Sequence, residues 1–145
     1  LYSARRRAGR EQGRRRAARE RFRLGADAVN GIVYEFDFAT GHVERQRGLY
    51  EIVGHHPAEV PPTAAWWWEQ IHPDDREGVE KRFTEAAGDT VVREYRVRHK
   101  GGRWLHVEDR AVLLRGQDGR PVKMVGCTVD VTERRHAEQR LRSRE

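Results

Sequence analysis

The architecture follows from residues 91–131, VVREYRVRHKGGRWLHVEDRAVLLRGQDGRPVKMVGCTVDV. Two turn sequences, Lys100-Gly101-Gly102 and Gln117-Asp118-Gly119, divide this stretch into three runs rich in β-branched and aromatic residues, so it predicts an antiparallel meander. In the first strand, alternate apolar positions are assigned to the core, namely Val91, Tyr95 and Val97. In the middle strand, residues 104–115, both alternating sets contain apolar and charged residues, so its inward face stays open.

Two further strands are predicted upstream of the meander. The strand predicted for residues 31–38 has one apolar face, made of Ile32, Tyr34, Phe36 and Phe38. The turn sequence Ala39-Thr40-Gly41 then allows residues 42–47 to return as a short second strand. We therefore expect five antiparallel strands.

Short helices are predicted between the second strand and the meander. One helical turn over residues 49–53 ends at Gly54, and residues 66–71 form a compact apolar helix that begins with three tryptophans. The sequence His72-Pro73-Asp74-Asp75 begins a longer helix, because proline suits the first helical position and the two carboxylates lie at the positive end of the helix dipole. Residues 132–145 contain no helix breaker and predict an exit helix.

Together these elements predict an α+β domain, a five-stranded antiparallel sheet with short helices on one face. We expect an arginine-rich helix or linker over residues 1–25, the domain over 26–131 and the exit helix over 132–145. Residues 1–25 carry ten Arg and two Glu, whereas residues 26–131 carry fourteen basic and eighteen acidic residues. Because a nucleic-acid-binding domain should carry positive charge on its folded body, we expect no specific nucleic-acid partner.

Three motifs resemble those of one family. They are Ile71-His-Pro-Asp-Asp-Arg76, residues 94–104 (EYRVRHKGGRW) and residues 118–134 (DGRPVKMVGCTVDVTER). In this order and spacing they make the chain similar to a PAS domain over residues 26–133, of the subtype common in bacterial sensor histidine kinases and diguanylate cyclases. The resemblance implies a five-stranded antiparallel sheet flanked by N- and C-terminal signalling helices.

The resemblance implies a sensory or dimerising module that is not itself an enzyme. Such domains hold a small ligand, a cofactor or nothing between the sheet and the short helices, and act on an output domain through the exit helix. The relay would lie at Asp130-Val131-Thr132. Thr132 can cap the exit helix, Glu133 suits its first turn, and Asp130 can pair with a nearby arginine. We expect the output domain to be a histidine kinase. The alternative is a ligand-free dimerisation scaffold, for example in a diguanylate cyclase.

The three consecutive tryptophans are the most unusual local feature. Their plain interpretation is core and rim packing, and the alternative is that Trp67 or Trp68 walls a small apolar cavity. The residues expected around that cavity are Tyr34, Phe36, Trp67, Trp68, Tyr95, Val97, Met124 and Thr128. Large side chains at these positions would fill much of the space, so we expect a small or closed cavity without a tightly held large cofactor.

Haem, flavin and metal are not expected as cofactors. Light-oxygen-voltage domains resemble this fold and carry a reactive cysteine in the helical region that corresponds to residues 57–72, where this chain has none. The single cysteine, Cys127, is out of alternation with the cavity positions and is interpreted as a small buried or interface hydrophobe. Residues 74–87 offer no histidine to a haem iron, and the seven histidines are too scattered for a metal site. No nucleophile elbow, phosphate loop or zinc-protease motif is present, and a redox or gas sensor is the least favoured function.

We expect a piece of a longer protein, because the chain opens on Leu1 rather than Met, and a cytoplasmic location, because one cysteine fits a reducing compartment. The resemblance further implies a homodimer. The expected dimer contacts, on the flanking helices and the outer sheet face, are Phe22, Val125, Cys127, Val129, Val131 and Leu141. Three interpretations of residues 1–25 stay open. These residues could be a signalling helix, a basic stretch beside the membrane in a membrane-anchored protein, or a non-specific nucleic-acid contact.

Overall fold

The structure, a computed structural model, describes residues 30–86 and 88–144, together with residues 13 and 16. Gly13 and Arg16 are helical and exposed. The rest of the helix predicted for residues 1–25, with Phe22, lies outside the described residues.

Five strands form one antiparallel sheet, in the order β2-β1-β5-β4-β3. The strands are β1 Gly31–Asp37, β2 Val43–Arg47, β3 Thr90–Arg98, β4 Trp104–Arg115 and β5 Pro121–Asp130. This confirms the predicted α+β fold, and every strand ends within one residue of its predicted bounds.

The helices of the described segments are α1 Leu49–Val53, α2 Ala64–Gln70, α3 Pro73–Thr84 and α4 Thr132–Ser143, with a 3-10 turn at Pro57–Glu59. The first ends at Gly54, whose φ of 79° is rarely adopted by residues with a Cβ. The second begins at Thr63, whose hydroxyl accepts from the Trp66 N–H at 3.3 Å. The third begins at His72, whose Nδ1 accepts from the Asp74 N–H at 3.1 Å. None of these four helices has the length and apolar character needed to span a membrane.

One face of the sheet packs against α1, α2 and α3 and forms the main core. Residues from both layers meet there, including Ile32, Leu49, Ile52, Ile71, Val79, Val97 and Val107. Helix α3 is fastened to β3 through Asp75, whose carboxylate accepts from the backbone N–H and the guanidinium of Arg96 at 2.8–2.9 Å. Those hydrogen bonds lower the pKa of Asp75 although partial burial opposes them.

The inward face of β4, which the sequence left open, is occupied by the odd-numbered residues. These are Leu105, Val107, Asp109, Ala111 and Leu113, all of them buried. A carboxylate therefore belongs to an otherwise apolar inward set, while the even-numbered residues of β4 face the opposite side of the sheet.

Candidate functional site

A cavity of about 310 Å³ lies between the sheet and the helices α2 and α3. Seven of the eight residues expected around a cavity line it, namely Tyr34, Phe36, Trp67, Trp68, Tyr95, Met124 and Thr128. Val97 is the exception and corrects the prediction, because Ile71 pairs with it across the end of β3 and it is fully buried in the main core. The volume is at the small end of the range for ligand pockets and equals that of about ten waters.

Most of the cavity wall is apolar and much of it is aromatic. Phe38 and Phe83, which stack at a centroid distance of 5.9 Å, line it although neither was among the expected residues. Trp68 also lines it and is 38% exposed, so this side chain reaches from the cavity to the protein surface.

Four residues form a polar corner in this apolar wall: Tyr34, Arg93, Tyr95 and Asp109. The Asp109 carboxylate, on a residue only 2% exposed, accepts from the hydroxyl of Tyr34 at 2.7 Å and from that of Tyr95 at 3.0 Å. It also accepts from Nη2 of Arg93 at 3.1 Å. The three donors explain why a carboxylate is tolerated in the core, since a buried charge is costly unless it is paired and hydrogen-bonded.

The charges of the polar corner are set by burial and by Asp109. Burial, reinforced by the nearby carboxylate, raises the pKa of Tyr34 and of Tyr95 well above the usual value, so both hydroxyls stay protonated and donate. Burial lowers the pKa of Arg93, but Asp109, Tyr34 and Tyr95 together outweigh it, so the pKa is raised. Trp67 extends the network by donating its indole N–H to the Tyr95 hydroxyl at 2.9 Å.

A glycine makes the bond between Tyr34 and Asp109 possible. Tyr34 lies beside Gly126 of β5, and a Cβ at that position would come within 2.4 Å of the tyrosine ring and hydroxyl. No real Cβ makes so short a contact, so only glycine leaves room for the side chain to cross β5 towards β4.

A second guanidinium, that of Arg45 on β2, also lines the cavity. It donates to the carbonyl oxygens of Pro61 at 3.3 Å and Thr63 at 3.2 Å, and it lies 5.1 Å above the Trp66 ring. The cavity wall therefore carries two guanidinium groups and one carboxylate.

Sequence reasoning missed the charged members of this wall. The available signal was alternation, since Arg93 shares its parity with Val91 and Tyr95 on β3. Asp109 likewise shares its parity with Val107 and Ala111 on β4.

Helix α4 leaves the sheet through contacts with the backbone of His106 on β4. The Val131 N–H donates to the His106 carbonyl at 2.8 Å, and the His106 N–H donates to the Thr132 hydroxyl at 3.0 Å. Asp130 accepts from the Thr132 N–H at 2.9 Å, whereas the N-cap residue of α4 is Val131, which makes no side-chain cap. Two expected roles are thereby corrected. Thr132 is the first residue of α4 and binds the sheet, and the partner found for Asp130 is Thr132 rather than an arginine. Glu133 lies exposed in the first turn, as predicted.

Two arginines hold the first turn of α4 against the outer face of the sheet. Arg134 pairs with Glu108 at 3.5 Å, and Arg135 pairs with Glu94. We call Glu94 and Glu108 the acidic pair, because they lie directly opposite each other on β3 and β4. Like charges in that position repel, so the arginines of α4 relieve a repulsion within the sheet. A hydrogen bond from Arg110 lowers the pKa of Glu108 although partial burial opposes it, and Arg134 lowers it further.

The acidic pair and the polar corner lie back to back. Arg93 and Glu94 are successive residues of β3, and Glu108 and Asp109 are successive residues of β4. Because successive strand residues point to opposite faces, Arg93 and Asp109 face the cavity whereas the acidic pair faces α4. Two adjacent cross-strand pairs therefore carry the buried ion pair and the attachment of the exit helix.

Three of the six expected dimer contacts are already buried within the single chain. Val125, Cys127 and Val131 are 2%, 8% and 8% exposed, and Cys127 packs against Val33 and Val129. Burial raises the pKa of the Cys127 thiol. Val129 is half-buried, and Leu141 on α4 is 62% exposed.

Comparison with known proteins places this chain among sensor domains. A family model described as the PAS fold matches residues 42–128. The chain is 30% identical over 136 residues to the two-component sensor PprA of Pseudomonas aeruginosa, which covers 91% of this chain and 14% of that protein. The chain spans only 9–14% of the length of the curated relatives that it matches.

Solved structures match over most of the described chain. A sensory box histidine kinase/response regulator from Burkholderia thailandensis superposes with a TM-score of 0.72 and 32% identity, covering 85% of this chain and 93% of that one. The N-terminal domain of a diguanylate cyclase from Marinobacter aquaeolei superposes with a TM-score of 0.64 over 73% of this chain and 99% of that one. At 20% identity, the second match shows the shared fold alone.

Proposed function

Because the chain belongs to the PAS fold family, we propose that it is the ligand-sensing module of a longer signal-transduction protein. A small molecule occupies the cavity, and its presence changes how α4 is held on the sheet. The output domain after α4 is a histidine kinase, as suggested by the likeness to a two-component sensor and to a sensory box histidine kinase. The module works inside the cytoplasm as a homodimer and performs no covalent chemistry.

The back-to-back arrangement of the polar corner and the acidic pair is the observation that carries this proposal. An occupant that moves Arg93 or Asp109 also moves the adjoining Glu94 or Glu108, because they belong to the same strands. Those carboxylates hold Arg135 and Arg134 of the exit helix. The ligand can act only if it binds the two arrangements of the helix with different affinity.

The size of the cavity supports a small occupant rather than haem or flavin. Its volume of about 310 Å³ is at the lower bound of common ligand pockets, and aromatic side chains such as Phe36, Phe83 and Trp67 already occupy its wall.

A ligand-free dimerisation scaffold is the second candidate. Leu141, which is 62% exposed on α4, favours it, because an exposed apolar residue on an exit helix suits pairing with a second copy. In that case the cavity would stay without an occupant, and the dimer would form through α4.

A cavity-filling variant distinguishes the two candidates. Ala64 lines the cavity from α2, whereas the neighbouring Ala65 is exposed and gives a matched control. We expect compounds from a small-molecule library to raise the thermal midpoint of the wild-type chain and of Ala65→Leu, but not of Ala64→Leu. Hydrogen exchange should then show altered protection of α4 when the cavity is occupied. Stabilisation of all three proteins alike, or no change in α4, would contradict the sensing proposal.

A further inference from the structure

We propose that the cavity binds a small amphipathic carboxylate, with its apolar body among the aromatic side chains and its carboxylate on the Arg93 guanidinium. This inference rests on the proposed sensing function and names the chemical class of its ligand.

The apolar part of the ligand follows from the wall. Phe36, Phe38, Phe83 and Met124 surround most of the cavity and offer no strong hydrogen-bonding group. A ligand that is polar throughout would lose its hydration there without compensation, so most of the occupant must be apolar.

The acceptor on the ligand follows from the hydrogen bonds already made in the polar corner. Asp109 is supplied with three donors, from Tyr34, Tyr95 and Arg93, and so has little capacity left for a further donor. A guanidinium has five N–H donors, and Arg93 gives Nη2 to Asp109 while its buried Nε–H finds no partner among the described residues. The polar corner therefore has more hydrogen-bond donors than acceptors. A ligand that brings an acceptor group pairs with the remaining donors of Arg93.

The negative charge on the ligand follows from the charges of the wall. Arg45 and Arg93 face a single carboxylate, and the two corner tyrosines stay neutral because their hydroxyls remain protonated. The cavity is thus net positive in surroundings of low dielectric constant, which favours an anion and disfavours an amine. A carboxylate matches the planar fork of a guanidinium and adds one charge only, whereas a phosphate would require more donors than one arginine has left.

The test uses three probes that share one apolar body and differ in the head group: phenylacetate, phenylacetamide and 2-phenylethylamine. Calorimetric titration of the intact chain at pH 7.5 should give an affinity for phenylacetate at least tenfold higher than for the amide. The amine should show no binding. Toluene, which has no polar head group, is the fourth probe and tests binding by the apolar wall alone.

Two arginine variants test the role of Arg93. Arg93→Gln should weaken phenylacetate binding at least tenfold and change amide binding little, whereas Arg98→Gln should change neither. Arg98 lies on the same strand but outside the cavity, over the Trp104 ring at 5.0 Å. Thermal unfolding checks that both variants are folded. If Arg93→Gln does not fold, the probe series on the wild-type chain still tests the inference.

The outcomes separate this inference from the function on which it rests. The carboxylate is overturned if the amide, the amine or toluene binds as tightly as phenylacetate or more tightly. The sensing cavity itself would then still stand. If none of the four probes binds, the carboxylate is likewise overturned, and the sensing function is decided separately by the library comparison of the wild type with Ala64→Leu.

Discussion

The hydroxyl of Tyr34 on β1 meets the carboxylate of Asp109 on β4 at 2.7 Å, although β5 lies between the two strands. The side chain crosses β5 at Gly126, the one position of that strand where a Cβ would collide with the tyrosine ring. A side-chain hydrogen bond therefore joins strands that share no backbone ladder, and it does so at the wall of the cavity.

Adding a methyl group at Gly126 should break this link. We expect Gly126→Ala to lower the free energy of unfolding by about 1–3 kcal/mol, because the tyrosine must leave its site in a packed core. Chemical denaturation measures the change. Gly78→Ala is the matched control, since a Cβ there has open space within α3, and it should be neutral or stabilising by up to about 1 kcal/mol.

A second substitution checks the cause of the Gly126 effect. In Tyr34→Ala the ring is absent, so adding Gly126→Ala should cost much less than it does in the wild type. Additive losses in the double variant would show that the alanine acts on something other than Tyr34.

Removing the arginine of the Arg135–Glu94 ion pair should disturb α4 more than removing its carboxylate partner. Arg135→Gln leaves the two carboxylates of the acidic pair opposed, whereas Glu94→Gln removes one of them together with the repulsion. We therefore expect Arg135→Gln to increase hydrogen exchange in α4 more than Glu94→Gln does. Their coupling energy should be about 0.5–1 kcal/mol, because both side chains are partly exposed. Arg140 is an exposed arginine farther along α4, so Arg140→Gln should have no effect. Equal effects of all three variants would show that the Arg135–Glu94 ion pair has no specific role in holding α4.

Asp130 should matter for coupling more than for folding. Asp130→Ala removes the acceptor of the Thr132 N–H and should fray the start of α4 at a cost of about 1 kcal/mol, with the core unchanged. In the longer protein we expect the response to ligand to be lost while the output domain stays active. Asp118→Ala removes a carboxylate that accepts from the Arg120 N–H in a hairpin turn, in the same way, and should leave the response intact. A normal response of the Asp130 variant, measured as output activity, would place the relay elsewhere.

Mild acid should loosen the attachment of α4. Burial lowers the pKa of His106, and the charges of Arg135, Arg96 and His136 lower it further, although Asp75 opposes them. The unfolded chain, with a histidine pKa of about 6.5, therefore binds the proton more readily than the folded one. The stability from neutral His106 is complete above that value and is lost as the pH falls below it.

Exchange of α4 amides at pH 7.5 and pH 5.5 measures this effect. After correction for the intrinsic pH dependence of amide exchange, we expect lower protection factors at the lower pH in the wild type and a smaller change in His106→Gln. His99, whose pKa burial also lowers, remains in both proteins and so cancels in the comparison. His42→Gln, an exposed histidine before β2, should behave as the wild type does. An identical acid response in all three proteins would rule out His106 as its source.

The sequence predicted the strands well because their alternation is a local property. Ile32, Tyr34 and Phe36 could be assigned to one face of β1 from their spacing alone, and the cavity wall contains all three. The longer helix could be predicted for the same reason, since His72 and Pro73 act within a single turn.

Alternation could place Arg93 and Asp109 on inward faces, but the hydrogen bonds of the polar corner could not be predicted, because they depend on the order of strands that are distant in the sequence. Asp109 is acceptable inside only because Tyr34 reaches it across β5 and Arg93 pairs with it from β3. The role of Thr132 also depends on a contact that is distant in the sequence. Its local preference for capping gives way to a hydrogen bond with the His106 N–H, a group 26 residues away along the chain.

The polar corner has one consequence for what the molecule can respond to. The pKa values of its two tyrosines and of its arginine are all raised, so these three groups keep their charge states near neutral pH. A bound ligand can still act on that corner, whereas His106, three residues back along β4, has a pKa lowered by burial and can take up a proton in mild acid. A single strand would then report ligand and acidity to one helix, each through its own residue.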